Sequence, residues 1–351
     1  HPSRIEVNER RLALNTNLSK LPPLDPSRVA TIEQFGGTIV PLAPIGAEVQ
    51  GIDLSSKDAP PPKLVEALEH EMANRGFIAF KNEKQLEVDE FLSASCWWGG
   101  KKLHSTHGVH PATPGGNEHI FRLSNDRRHG IPGVGPQWHN DGSFNADTFS
   151  HAGYHIIRPA ENGGGTCFAH QGAAYDALPT ERQEFWRRLS SVNSNSGVVH
   201  PAVHVHPISK RKCVWLHLGM TGAVIEKRLD DEGFRLLNVA ELKQLCDEYN
   251  DILNAGLESG YAIAYEYQEN DCIFIDNLAV AHRAAPEAHL PAEKQGLRIM
   301  HRSTVRGVED LAPDFGLPLY FNIDGPSPFG EGVWQSGGIG FRWNDDIPMQ
   351  N

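Results

Sequence analysis

HIFRLSNDRRHGIPGVGPQWHNDGSFNADTFSHAGYHIIRPAENGGGTCFAH, residues 119–170, decides the class of fold. It breaks into four short runs, HIFRLS (119–124), GPQWHND (135–141), HAGYHII (151–157) and GTCFAH (165–170), separated by clusters of Gly, Pro, Asn and Asp. Such clusters punctuate strands, because they supply the backbone angles that turns require. Outward from this stretch the pattern recurs in CVWLHL (213–218), YAIAYEY (261–267), CIFI (272–275) and LRIMHRSTV (297–305). Many short, turn-bounded strands predict a mainly β chain folded as an antiparallel barrel or jelly roll.

Helices flank these strands. Pro62, Leu64, Leu68 and Met72 recur at helical spacing, Gly76 follows as a stop, and FIAF (77–80) is a short apolar run, so a helix feeds a strand. Further helices are expected over 88–97, over 180–192 with Phe185, Trp186 and Leu189, and over 232–253 with Leu236, Val239, Leu242, Leu245, Tyr249 and Ile252 on one side. Residues 1–36, with LPPLDP and no sustained period, read as an N-terminal arm, and 37–306 as one catalytic-size domain. The tail 307–351 is rich in Gly and aromatics (FGEGVWQSGGIGFRW), a candidate site cover or a contact in a homo-oligomer.

Charge and length exclude several roles. Lys+Arg 32 against Asp+Glu 44 gives −12, a field that repels phosphate backbones and anionic lipid, so neither nucleic acid nor membrane is an expected partner. No run approaches the ~18 apolar residues of a membrane span. Five widely spaced cysteines without a C-x-x-C motif argue against a disulfide framework and a thiolate zinc site. The expected location is the cytoplasm or another reducing intracellular compartment. The chain opens on His1 rather than Met, which leaves open a removed targeting segment.

Trp138-His139-Asn140-Asp141 puts an imidazole and a carboxylate two residues apart, on one face if the segment is a strand. A lone H-x-D is a weak signal: about two H-x-[DE] matches are expected by chance in this composition, and there is one. The C-terminal third adds His282 after an Asp276-Asn277 turn. Two His and one carboxylate on one face of an octahedral ion leave positions for a bidentate cosubstrate and O₂, as at Fe(II), whereas a zinc hydrolase needs one open position. On 297–305 the period of two places Arg298, Met300, Arg302 and Thr304 on one face. Inward guanidiniums suit anions; alternatively, Leu297, Ile299 and His301 form the core face and the arginines are solvated.

Taken together, WHND (138–141), GGGTCFAHQGAAYDALP (163–179), HPAVHVHPISKRKCVWLHLG (200–219), YQENDCIFIDNLAVAH (267–282) and RIMHR (298–302) make residues 37–306 resemble the taurine dioxygenase/TfdA family of Fe(II)- and 2-oxoglutarate-dependent dioxygenases. The resemblance implies a double-stranded β-helix (jelly roll, cupin-like) fold with flanking helices. It implies His139, Asp141 and His282 as iron ligands, with 2-oxoglutarate and O₂ as cosubstrates and Thr166 and Arg298 on the distal carboxylate of 2-oxoglutarate. Arginine suits that task because its planar fork matches a carboxylate and stays charged when buried. Asp141 implies hydroxylation, since related halogenases carry a small residue there.

By the same resemblance Arg302 would hold a substrate anion, making the substrate a small sulfonate, sulfate ester, carboxylate or aryloxy acid. His104, in the His-rich loop 99–116 with His107 and His110, and Met220 are further substrate-facing candidates. The chain departs from taurine-using members at Gly135, where they carry Asn, and at Met220, where they carry Phe. The insertion PEAHLPAEKQ (286–295) brings a rival ligand, His289; His282 keeps the family's spacing from Asp276-Asn277. A zinc hydrolase on the same three ligands would leave Thr166 and Arg298 unexplained, and a non-enzymatic metal-stabilised binding module would show metal-dependent stability without 2-oxoglutarate turnover.

Overall fold

A computed structural model describes residues 19–82, 84–105, 108–229 and 233–334. The helices used below are α1 (Pro26–Gln34), α2 (Pro62–Arg75), α3 (Val88–Ser95), α4 (Gln171–Ala177), α5 (Thr180–Trp186) and α6 (Val239–Ser259). The strands are β1 (Thr38–Pro41), β2 (Ala47–Gln50), β3 (Phe77–Lys81), β4 (Phe121–Ser124), β5 (His151–Arg158), β6 (Thr166–His170), β7 (Leu189–Asn193) and β8 (Val199–Pro201). They continue with β9 (Val203–Val205), β10 (Lys212–Val214), β11 (Thr221–Lys227), β12 (Phe234–Leu236), β13 (Ala262–Tyr265), β14 (Asp271–Asp276), β15 (Val280–Ala284) and β16 (Ile299–Val305).

A seven-stranded sheet runs β1-β2-β3-β14-β5-β16-β4, with β2 and β3 parallel and the other pairs antiparallel. A three-stranded antiparallel sheet, β13-β6-β15, faces it. Phe168 of β6 meets Phe77 of β3 at 5.0 Å and Tyr154 of β5 at 6.2 Å between ring centroids, within one apolar cluster that also holds Ile273 and Met300. The other face of the large sheet is covered by α1–α3, where Ile78, Phe80 and Phe274 join Leu68, Met72, Phe91 and Trp98. Burial on both faces explains why FIAF and CIFI are continuous apolar runs rather than alternating ones.

Several elements follow their expected positions. Gly76 ends α2 with φ 90, and β3 begins at the next residue. The helix expected over 88–97 ends at Ser95.

Other expectations change. GPQWHND is not a strand: Gly135 has φ +67, Pro136 lacks an N–H, and the segment keeps only an isolated antiparallel bridge between His139 and His282. CVWLHL is extended only to Val214. The helix expected over 180–192 stops at Trp186, and Leu189 opens the buried strand β7, since Ser190, Ser191 and Val192 are weak helix formers. The one expected over 232–253 starts at Val239, where Asn238 and Glu241 form a capping box, and Leu236 belongs to β12. Within the arm, Asp25 caps α1, whose sole buried residue is Ile32; one buried position leaves no period to read.

The tail residues 307–334 lie against a third sheet, β12-β11-β7-β8. Val199 N–H donates to Leu319 O and Phe321 N–H to Gly197 O, while Ile323, Phe321 and Phe329 join Val192, Val199 and Ile225 in a separate apolar cluster. Residues 335–351 lie outside the described set. All five cysteines are free thiols, and no described helix is long and apolar enough to cross a membrane.

Candidate active site

His139, Asp141 and His282 converge, with one ligand atom from each within 4.8 Å of the others. The bridge is reciprocal: His139 N–H donates to His282 O at 3.0 Å and His282 N–H to His139 O at 2.9 Å, which sets the two rings 4.2 Å apart. Asp141 comes in after a turn that Asn277 holds. The Asn277 side chain accepts from Asp141 N–H (2.9 Å) and donates to the carbonyls of Asp141 (2.8 Å) and Phe149 (2.7 Å). Asn140 is buried beneath, its amide bonded to Asn277 O, Val280 O and Gln171, and Gln171 contacts Tyr249 of α6. An irregular segment is thus fixed by side-chain amides that replace a strand ladder.

The donor chemistry fits a divalent metal. His139 Nδ1 lies 2.7 Å from Gln137 O; a carbonyl can only accept, so Nδ1 carries the hydrogen and Nε2 presents its lone pair toward the other ligands. Burial pushes the His139 and His282 imidazoles below their ordinary range, keeping them in the neutral, ligating form. Burial raises the Asp141 carboxyl, but Arg302 and the neighbouring imidazoles outweigh it, and Asp141 stays ionised. Its Oδ1 accepts from Arg302 Nη1 at 2.8 Å, whereas Oδ2 is buried with no hydrogen-bond partner, an orphan that a cation would satisfy.

Thr166, Arg298 and Arg302 share one pocket with His139, His282 and Tyr154. Thr166 opens β6 after Gly163-Gly164-Gly165. Gly164 has φ +78 and its carbonyl accepts from Arg298 Nη1 at 2.9 Å; a Cβ on Gly165 would collide with Tyr265 O. The glycine run therefore lets the chain pass between β13 and the arginine. The insertion 286–295 buttresses the same arginine: buried Gln295 bonds Glu287 O and Asn125, and Asn125 Oδ1 accepts from Arg298 N–H at 2.9 Å. His289 is exposed in a 3₁₀ turn of that insertion and is not in the ligand group.

Both faces of β16 are buried, so the alternative of solvated arginines does not hold: Arg302 and Met300 face the pocket, and Ser303 on the other face bonds Ser95 of α3. His104 is buried with its ring 4.6 Å from Phe149 and its N–H on Thr304 O, and His110 bonds Arg127 O; His107 lies outside the described residues. Neither His104 nor Met220 lines the pocket. His217, near the end of the marker stretch 200–219, brings its ring 5.2 Å from that of His139. Gly135 has a steric reason, since a Cβ there would stand 2.8 Å from His139 Cε1. The clamp residues Asn140, Gln171 and Asn277, and Tyr154, lay inside quoted motifs, but periodicity carries no signal for them.

Two imidazoles and a carboxylate brought together at a pocket that part-buried arginines also line fit the class of a non-haem iron centre. The family model for taurine catabolism dioxygenase TauD, TfdA family, matches residues 38–304, and the chain belongs to this family of oxidoreductases. An α-ketoglutarate-dependent sulfonate dioxygenase of Saccharomyces cerevisiae is 24% identical over 299 residues, 76% of this chain and 66% of that protein. An α-ketoglutarate-dependent sulfate ester dioxygenase of Pseudomonas putida is 27% identical over 205 residues, 49% of this chain and 63% of that protein. The chain thus spans just under two thirds of these relatives' own lengths. A crystal structure of a taurine dioxygenase from Burkholderia xenovorans shares the fold, with a TM-score of 0.63 at 20% identity over 84% of this chain and 96% of that one.

Proposed function

We propose that the protein is an Fe(II)- and 2-oxoglutarate-dependent dioxygenase that hydroxylates a C–H bond of a small organic anion, on a double-stranded β-helix (jelly roll) core. The observation that carries this reading is the single pocket lined by His139 and His282, two members of the His139/Asp141/His282 group, and by Thr166 and Arg298. A zinc hydrolase or a metal-stabilised binding module leaves Thr166 and Arg298 without a task, and family membership favours the oxygenase. When bound, ferrous iron supplies the site at which O₂ and 2-oxoglutarate are converted to succinate and CO₂, with one oxygen atom entering the C–H bond.

The chain's own residues bind, orient and exclude water. His139, Asp141 and His282 hold the metal from one side. Arg298 and Thr166 fix the far carboxylate of the keto acid, so that its keto end faces the metal. Arg302 gives one N–H to Asp141, its Nε is buried with no partner, and its guanidinium lies 4.6 Å over the Phe121 ring. That unspent donor supports an anionic group on the substrate, and the sulfonate and sulfate ester named for the two relatives are the first classes to try.

Succinate release from 2-oxoglutarate with Fe(II) and O₂, screened across small sulfonates, sulfate esters, carboxylates and aryloxy acids, tests the reading. At least one anion should raise the rate well above the substrate-free rate, and its neutral isostere should not. No 2-oxoglutarate consumption with any of them would overturn the reading.

A further inference from the structure

Thr166 Oγ1 has more than one neighbour. Tyr267 lies two residues beyond β13, where Tyr265 pairs with Thr166 in the ladder, and the two tyrosine rings sit 5.7 Å apart. The Tyr267 hydroxyl donates to Thr166 Oγ1 at 2.6 Å. A threonine hydroxyl has one hydrogen and two lone pairs. Once the phenol occupies a lone pair, the hydroxyl rotor is restricted and its own hydrogen is left to point elsewhere. The pocket side is the direction in which Arg298 stands, anchored by its bond to Gly164 O.

We propose that Tyr267 is a positioning residue for the cosubstrate: by donating to Thr166 Oγ1 it commits the Thr166 O–H to the distal carboxylate of 2-oxoglutarate, beside Arg298. This rests on the functional reading above and adds a residue to it. Tyr267 touches no reacting atom; it removes the orientations in which Thr166 would present a lone pair to an anion. Burial pushes the Tyr267 phenol up, so it remains a donor throughout the neutral range. A Phe at 267 keeps the ring against Tyr265 and loses the donor alone.

The test is anaerobic titration of 2-oxoglutarate into the Fe(II)-loaded protein, followed by the visible absorption of the chelated keto acid, in wild type, Tyr267→Phe, Thr166→Val and the double variant. Tyr261→Phe, whose hydroxyl bonds Ile252 O far along α6, serves as the control for losing a tyrosine hydroxyl. Tyr267→Phe should raise the 2-oxoglutarate Kd about three- to tenfold, the size of one neutral hydrogen bond, with unchanged band shape and melting temperature. Thr166→Val should raise it at least as much, and the double variant should be no worse than Thr166→Val, because the relay runs through one hydroxyl. Tyr261→Phe should leave the Kd unchanged. Wild-type affinity in Tyr267→Phe, or independent, multiplying losses in the double variant, would overturn the relay and leave the functional reading standing. A wild-type protein that does not bind 2-oxoglutarate would overturn both.

Discussion

At one end of the pocket Thr166 opens β6 and Arg298 directly precedes β16, and their positions follow from these strand starts and from a glycine run that lets the backbone pass. At the other end His139 and Asp141 lie in irregular chain, tied by one bridge to β15 and by the amides of Asn277, Asn140 and Gln171. The first end is built mainly on the backbone, with one side-chain amide, Asn125, holding Arg298 N–H, and the second by a cluster of buried side-chain hydrogen bonds. The two should fail differently: substitutions at the regular end should change affinity for one carboxylate, whereas those at the irregular end should disturb metal, turnover and stability together.

The largest effect should come from the third ligand. His282→Ala is expected to eliminate Fe(II)-dependent turnover, while His289→Ala, in its exposed 3₁₀ turn, should leave it largely intact; steady-state succinate formation separates them. The reverse pattern would move the ligand into the insertion.

Next in size are the two arginines. If Arg298 pairs with the 2-oxoglutarate carboxylate as proposed, Arg298→Ala should leave that carboxylate without its partner, at a cost of ~2–5 kcal/mol, or roughly thirtyfold or more in 2-oxoglutarate KM if KM tracks affinity. Arg302→Ala should leave that KM nearly unchanged, weaken the anionic substrate by a comparable factor, and raise the share of succinate formed without product. Because Arg302 also bonds Asp141, metal affinity in this variant is a useful companion measurement.

Asn277→Ala probes the irregular end away from the ligands. It strips the partner from Asp141 N–H and from two carbonyls, so Fe(II) affinity should fall about tenfold and stability by ~2–3 kcal/mol. A loss of stability with unchanged metal affinity would mean that the clamp does not orient Asp141.

The smallest effects concern pH. Burial holds His155, His200 and His204 down to about 4, against 6.5 for a free imidazole. Below 6.5 the unfolded chain takes up protons that the folded one refuses, so their contribution is complete above that value and is lost as pH falls toward 4. Burial raises Asp276, but His206, 3.0 Å away, outweighs it and holds the carboxyl at about 2, so its contribution is present above the ordinary value of 3.8 and disappears later, as pH falls toward 2. Apo-protein melting against pH should show the histidine phase first; a flat profile between pH 6.5 and 4 would contradict it.

The same division governs how much could be read beforehand. The helix from Pro62 and the inward face of Arg298, Met300 and Arg302 are periodic, and FIAF and CIFI are unbroken apolar runs; both kinds of pattern are visible in a linear chain. For the pair His139 and Asp141 the spacing alone is a weak signal and the family resemblance supplies the assignment; the segment is not a strand, and what brings the two together with His282 is the bridge to His282 and an amide clamp more than a hundred residues away in sequence. Leu189 and Leu236 continue a helical spacing by coincidence and belong to strands. Tyr267 acts through its hydrogen bond to Thr166 and Gln295 through its bonds to Glu287 O and Asn125, which leave no trace in spacing.

Anaerobic addition of 2-oxoglutarate to the Fe(II)-loaded protein tests most directly the claim that His139, Asp141 and His282 hold the iron that receives the keto acid. Wild type should develop the visible charge-transfer band of a chelated keto acid, and His139→Ala and Asp141→Ala should each abolish it while the folded protein still melts cooperatively. A band that survives both substitutions would remove these residues from the metal site and contradict the account.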